Sequence, residues 1–173
     1  MRKIVVLTFV TLDGVMGVQM GHPFDLLLGR KTYDTFAAAW PKIDPSSPIN
    51  HCKKYVVTHR PIPEETAIWK NSVRIDGDVA DKIRMLKREE GPEIQVHGSS
   101  NLIQTLLRHD LVDELCLKIY PITVGGGKRL FGDGTIAAGF ELVDSKASPS
   151  GIIVASYRRS GEIKLGSFAP DAG

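Results

Sequence analysis

The sequence has little of what announces whole classes of chemistry. It holds two cysteines, Cys52 and Cys116, with no CxxC pair, so no disulfide framework is expected and both read as thiols in a reducing compartment. Apolar runs such as Ile4 to Val6 and Leu26 to Leu28 are far too short to span a bilayer. No charged opening followed by an apolar stretch and a cleavage site begins the chain, which predicts a protein that is not exported and is cytoplasmic. Charge of one sign is missing too. The 22 Lys and Arg are interspersed with 20 acidic residues for a net +2, and without a basic stripe carrying interleaved aromatics no nucleic-acid partner is expected. There is no GxGxxG, and Gly127-Lys128 is followed by Arg129, which breaks the P-loop pattern. HExxH is absent, the five histidines are scattered, and the HxE…PCxxC signature of zinc deaminases does not occur. A metal site or a deaminase activity is therefore not expected.

What is present looks like an ordinary globular chain. Hydrophobic residues make up 42% and charged residues 24% of the 173 residues, near the average for soluble domains. The length suits one domain over 1–165, followed by a small, polar, loose tail over 166–173. Lys3 to Leu12 is β-branched and nearly continuous in apolar character, which predicts a strand buried on both faces, stopped by the turn pair Asp13-Gly14. Asp25 to Leu28 predicts a second buried strand, and Arg30 to Ala39 has helical spacing with Tyr33, Phe36 and Ala37 on one face. Pro41 to Pro48 reads as loop. Strands follow at Lys54–Thr58, Ser72–Ile75, Glu93–His97 and Glu114–Tyr120, and helices at Val79, Ile83 and Leu86 and at Leu102, Ile103, Leu106 and Leu107. Gly91-Pro92 stops the first of these helices. Phe140–Ala147 and Gly151–Arg159, joined by Ser148-Pro-Ser150, read as a hairpin. The pattern predicts an α/β fold: a mostly parallel central sheet, helices on both faces, and a C-terminal antiparallel hairpin.

Three strand ends open onto small or cationic residues. Leu28-Gly29-Arg30-Lys31-Thr32 leads from a strand into a helix start, where free N–H groups and the positive dipole end suit phosphate; the other reading is an ordinary cap with a solvated charged face. Val57-Thr58-His59-Arg60 suits a ribose phosphate or is a polar loop. His97-Gly98-Ser99-Ser100-Asn101-Leu102 is a second helix-start turn; in the other reading Ser99, Ser100 or Asn101 merely caps the helix. His97 itself reads as a satisfied strand histidine rather than a ligand. Ligands of open α/β sheets collect beyond the carboxyl ends of the strands, where all three segments fall.

These segments, with Thr11-Leu-Asp-Gly14, Leu27-Leu-Gly-Arg-Lys-Thr-Tyr33, Asp113-Glu-Leu115, Pro121 and Gly125-Gly-Gly-Lys-Arg-Leu-Phe131, resemble the reductase domain of the bifunctional riboflavin-biosynthesis deaminase-reductases and, more broadly, the dihydrofolate-reductase-like superfamily. The resemblance covers nearly the whole chain. It implies NADPH as cofactor, with Gly29, Arg30, Lys31 and Thr32 at its phosphates, Thr58, His59 and Arg60 around the adenosine ribose and 2′-phosphate, and Gly98, Ser99, Ser100, Asn101 and Leu102 at the pyrophosphate. Asp13 would stand beside the nicotinamide and the substrate as the catalytic residue, unless it only hydrogen-bonds its own turn. Phe9 would lend backbone groups to the nicotinamide carboxamide, or simply pack, and Gly125 to Gly127 would border the substrate pocket or serve only as a flexible connection.

The reaction implied is hydride transfer to a small substrate of the 5-amino-6-(5-phosphoribosylamino)uracil type. A dihydropterin or folate substrate and a non-catalytic NADPH-binding module are the alternatives. A homodimer is implied by resemblance alone, and a deaminase partner would have to come from another chain. One departure stands out: only Met16 to Phe24 separates the Leu-Asp-Gly turn from the next strand, too little for the family's usual loop and helix. Either a substrate-covering segment is lost, or residues between Met16 and Gln19 are missing from the sequence. In the second case Met16 and Gly17 would stand farther apart than the roughly 3.8 Å of one peptide link.

Overall fold

The computed structural model describes residues 1–11, 16–17, 23–62, 69–132 and 135–163. Its central strand is β1 (Ile4–Thr11), and the continuous apolar run is explained by burial from both sides. Ile4 and Val6 join a core cluster beneath two helices, while Val5 and Leu7 are buried on the opposite face. The short strand β2 (Met16–Gly17) pairs antiparallel with β1, Phe9 opposite Gly17 and Val10 opposite Met16. No sequence pattern points to β2, because a two-residue strand has no periodicity to read.

β3 (Phe24–Gly29) runs directly into α1 (Arg30–Ile43). The helix is one turn longer than its spacing predicts and passes through Pro41. That proline removes one backbone donor near the helix end. The Phe36 ring meets Trp40 edge-on at 6.2 Å and Trp69 at 6.3 Å, and the Asp44 N–H donates to the Trp40 carbonyl at 3.1 Å, so packing and a closing bond hold the last turn. The predicted loop is shorter at its other end as well. Pro48 opens a single turn, α2 (Pro48–His51), anchored by the fully buried Ile49, with proline in the first-turn position that its fixed φ favours.

β4 (Lys54–Val57) and β5 (Ser72–Ile75) extend the sheet. Lys54 is fully buried and fully engaged: its Nζ donates to the Asn50 carbonyl at 2.7 Å and the Lys70 carbonyl at 3.1 Å and lies 5.0 Å from the Trp69 ring. α3 (Val79–Arg88) starts at Asp78, whose carboxylate accepts the Asp81 N–H. After it come β6 (Glu93–His97), α4 (Ser100–Arg108), β7 (Glu114–Tyr120) and the hairpin β8 (Gly139–Ala147) and β9 (Ile153–Gly161). The strand order is β5-β4-β3-β6-β1-β7-β9-β8, with β2 beside β1. Pairings from β5 to β7 are parallel, and those of β9 with β7 and β8 are antiparallel.

Leu27, Ile94 and Val96 face α3 and α4 through Ile83, Ile103 and Leu106. Leu26, Leu28 and Val56 face α1 through Tyr33, with Trp69 beside it. Helices therefore cover both faces, and the C-terminal hairpin is antiparallel, as the sequence implies. Among the described residues no helix is long and apolar enough to cross a membrane. The tail over 166–173 and the turn pair Asp13-Gly14 lie outside the described residues.

Candidate functional site

β3 and β6 pair from Phe24 opposite Glu93 to Leu26 opposite Gln95 and then part. β3 ends at Gly29 and turns into α1; β6 ends at His97 and passes through Gly98-Ser99 into α4. Between the two helix starts lies a cleft of about 740 Å³. Gly29, Arg30, Lys31 and Thr32 line one side, and Gly98, Ser99, Ser100, Asn101 and Leu102 the other. Neither helix has a side-chain cap, so the first-turn N–H groups of both remain as donors toward this space and their positive ends face it together. Two such helix starts on one cavity are an arrangement suited to an anion.

Gly98 (φ +74°) and Ser99 (φ +63°) are consecutive left-handed residues, a conformation that glycine adopts freely and serine does not. The turn throws the Ser99 side chain away from its own helix and across the cleft floor. There its Oγ accepts the Gly29 N–H at 2.9 Å and shares a 2.6 Å hydrogen bond with the Thr32 hydroxyl. The capping alternative for Ser99 is thereby answered: its hydroxyl ties α4 to α1. Gly29 is extended (φ −77°), and what requires glycine there is room, because a Cβ would lie 2.7 Å from Ser99 Oγ and 3.0 Å from its Cβ.

The cleft also takes in residues that the sequence reading does not assign to a ligand: Thr35, Phe36, Val57, Val79, Thr105 and Lys128. Lys128 leaves the Gly125–Gly127 loop, which the resemblance assigns to the substrate side, and adds a second exposed ammonium to the cleft that Lys31 also lines. Its loop is pinned through α4. The Gln104 amide donates to the Leu130 carbonyl, the Gln104 oxygen accepts from the Thr135 hydroxyl at 2.6 Å, and Leu130 is buried. Nothing local marks this long-range anchoring.

The second predicted segment stands apart. Thr58, His59 and Arg60 do not line the cleft, although Val57 just before them does. Thr58 is buried, and its Oγ1 accepts the Arg60 N–H at 3.1 Å, closing the turn. His59 Nδ1 lies 2.6 Å from Asp76 Oδ1, and Arg74 donates to the His59 carbonyl at 3.2 Å. The His59 hydrogen bond, aided by the Gly77 N–H and nearby Arg74, holds the Asp76 carboxyl below its usual value. Arg60 is exposed on the same turn. Arg30 bridges the two regions: its Nε donates to Asp34 at 2.7 Å and its Nη1 to the Pro61 carbonyl at 2.8 Å.

His97 departs from the sequence reading. It is fully buried, and its Nε2 meets Gln95 Oε1 at 2.8 Å, but its Nδ1 has no hydrogen-bond partner. Burial lowers its pKa to about 4, so the ring is neutral near pH 7. Phe9 belongs to β1, opposite Lys118 of β7 and Gly17 of β2; its side chain, like all of Asp13, lies outside the described residues. Both cysteines are free, and burial pushes the Cys52 thiol up to about 11, leaving it protonated and unreactive at neutral pH.

The sheet order defines an α/β protein of the dihydrofolate-reductase-like type, with a groove between two helix starts at the carboxyl ends of its strands. Residues 20–154 match the family model described as the RibD C-terminal domain, and the chain belongs to that reductase-type family. The uncharacterized protein YyaP of Bacillus subtilis (strain 168) is 29% identical over 185 aligned residues, covering 92% of this chain and 96% of that protein. Those aligned positions outnumber the 173 residues of this chain, so the relative holds residues that this chain lacks. Among solved structures, a Shewanella sp. PV-4 protein assigned to riboflavin biosynthesis superposes with a TM-score of 0.75 at 21% identity, covering 92% of this chain and 99% of that one. Dihydrofolate reductase from Enterococcus faecalis, complexed with NADP(H) and RAB-propyl, superposes at 0.61 with 16% identity, covering 91% and 96%. At these identities the two structures speak for the fold.

Proposed function

We propose that this chain is an NADPH-dependent reductase that transfers a hydride to a small heterocyclic substrate of the 5-amino-6-(5-phosphoribosylamino)uracil type. The observation that carries the reading is the convergence of two uncapped helix starts, with Lys31 and Lys128, on one cleft of about 740 Å³. That donor set suits the paired phosphates of a dinucleotide, and the apolar side chains of Val57, Val79 and Leu102 offer a wall on which a flat base can lie. When bound, NADPH supplies the hydride and the electron chemistry.

The chain's own residues bind and orient. The α1 and α4 N–H groups hold the diphosphate, and Ser99 fixes their spacing. Arg60 reads the 2′-phosphate, since Arg30 is engaged with Asp34 and Pro61 and His59 with Asp76. Asp13 orients the substrate or delivers its proton, so Asp13→Asn lowers kcat while leaving NADPH affinity nearly unchanged; an unchanged kcat removes that role. The rival reading, an NADPH-binding module without turnover, is favoured by the brevity of Met16 to Phe24. It predicts tight cofactor binding with no oxidation across pyrimidine and pterin substrates.

Thermal unfolding with saturating NADPH, with NADH and without ligand is the direct test. Ligand at one hundred times its dissociation constant adds about 2.7 kcal/mol, a shift of roughly 5–10 °C at this size. A larger shift with NADPH than with NADH is the expected result. No shift with either means that the turns are structural and overturns the reading.

A further inference from the structure

Glu93, Gln95 and His97 alternate along one face of β6 and form a chain of hydrogen bonds. The Gln95 amide donates to Glu93 Oε1 at 2.6 Å, which turns Gln95 Oε1 toward His97 Nε2 at 2.8 Å. The reverse amide orientation would set the Gln95 oxygen against the Glu93 carboxylate. The arrangement therefore requires His97 Nε2 to carry the proton, and in the neutral ring Nδ1 is left as a bare acceptor. It is the unpartnered side-chain atom among the buried described residues. Buried polar groups nearly always find a partner, and one that does not calls for an explanation.

Its place in the sheet supplies one. β6 pairs with β1 up to Leu7 opposite His97 and stops. The far edge of β1 is occupied by β7 through Thr11 opposite Tyr120, so β2, which meets β1 from Phe9 onward, takes the edge that β6 vacates. His97 stands at that junction, with the Phe24 ring tilted 6.2 Å away; the next two residues, Gly98 and Ser99, line the cleft, and His97 itself is buried behind them, off its lining.

We propose that His97 is a recognition residue whose Nδ1 accepts a hydrogen bond from an N–H donor of the molecule bound at the carboxyl ends of β1 and β6. This rests on the reductase reading above. Two molecules bring that chemistry to the junction: the carboxamide of the nicotinamide, and an amino group of an aminopyrimidine substrate.

The test uses the protein labelled with ¹⁵N-histidine, because an unprotonated imidazole nitrogen resonates far from a protonated one and moves upfield on accepting a hydrogen bond. Three titrations separate the sources: adenosine 2′,5′-bisphosphate, which lacks nicotinamide; NADPH; and 5,6-diaminouracil added to the NADPH complex. An upfield move with NADPH but not with the bisphosphate identifies the carboxamide as donor, and a move only with the diaminouracil identifies the pyrimidine. His97→Phe then weakens whichever ligand moved the resonance by about tenfold, and His97→Asn, which restores an acceptor near the Nδ1 position, recovers most of it. A free protein with Nδ1 protonated, or NADPH binding with an Nδ1 silent to all three probes, overturns this inference and leaves the reductase reading intact. NADPH that fails to bind overturns both. If His97→Phe does not fold, the resonance test on the wild-type chain still decides.

Discussion

Adding one methyl group at Gly29 probes the cradle directly. In Gly29→Ala the new Cβ lies 2.7 Å from Ser99 Oγ and 3.0 Å from Ser99 Cβ. Neither atom can yield easily: the Oγ is bound to the Gly29 N–H and the Thr32 hydroxyl, and the Cβ sits on a left-handed backbone. Three effects compete. Overpacking costs about 1–3 kcal/mol. Restricting the unfolded chain returns about 0.4–1 kcal/mol, because the extended backbone at Gly29 (φ −77°) is open to alanine. Alanine is also the poorer helix cap, by an amount similar to that return. The last two nearly cancel, so the clash decides the sign, and a fall in Tm of roughly 2–12 °C is expected.

The assay is a double-mutant cycle by thermal or urea unfolding. Ser99→Gly removes both clashing atoms and relaxes the left-handed backbone, so Gly29→Ala in that background should change stability by less than about 0.5 kcal/mol. The coupling energy then equals the clash. If Gly29→Ala is as costly beside Gly at 99 as beside Ser, the contact between the two turns is not what requires glycine, and the argument that Ser99 sets their spacing falls with it.

Other outcomes follow from the same geometry. Lys31→Ala and Lys128→Ala each weaken NADPH binding about two- to fivefold, as exposed charges do, and the losses shrink in 1 M salt, where the screening length is about 3 Å; losses that persist in salt refute a simple charge role. His97 is neutral when folded, with its pKa lowered to about 4 from 6.5, so between those values the unfolded chain binds the extra proton. Stability therefore falls as pH drops from about 6.5 to about 4, by roughly 3 kcal/mol from this group, and His97→Asn should flatten that part of the profile in unfolding experiments. Far from the cleft, the buried Arg2 pairs with Asp25 and donates to the Pro92 carbonyl at 2.8 Å and the Tyr55 hydroxyl at 3.2 Å. Arg2→Met strands a largely buried carboxylate and costs about 3–5 kcal/mol, while the NADPH dissociation constant of the folded fraction stays unchanged.

The parts of this protein written in local pattern are legible from the amino-acid order alone. β1, β3, β6 and the two helices behind Gly29 and Gly98 follow from periodicity and glycine placement, and both cleft-lining segments stand out because a strand end, a glycine and a polar helix start are adjacent in sequence. What escapes such a reading depends on distance along the chain. The last turn of α1 survives Pro41 because Trp40 and Trp69 pack around Phe36, a contact no spacing rule contains. Lys128 reaches the cleft because Gln104 grips Leu130 and Thr135. His97 reads as a satisfied histidine because sequence cannot count its partners; only the Gln95 orientation, itself set by Glu93, shows which nitrogen is left over.

The cleft's two helix starts come from residues seventy positions apart, held by the β3–β6 pairing and tied at the turns by one hydroxyl, which links binding to folding. The α1 start rests on the core beneath Tyr33 and Trp69, and the α4 start on the separate core around Ile103 and Leu106. A diphosphate held between them would be gripped by two helix starts placed by the β3–β6 pairing and trimmed locally at Ser99 Oγ. With the Ser99 proton given to Thr32, losing that hydroxyl removes no donor from the ligand, because Oγ then accepts from Gly29 and donates to Thr32. What it removes is pre-organisation, whose loss weakens binding through the cost of ordering the site. Ser99→Ala should therefore weaken NADPH and adenosine 2′,5′-bisphosphate unequally, more for the ligand that spans both helix starts, whereas a lost direct contact to the adenosine half would weaken both alike. Equal weakening of the two would place Ser99 among the groups that touch the ligand and would end its role as the spacer.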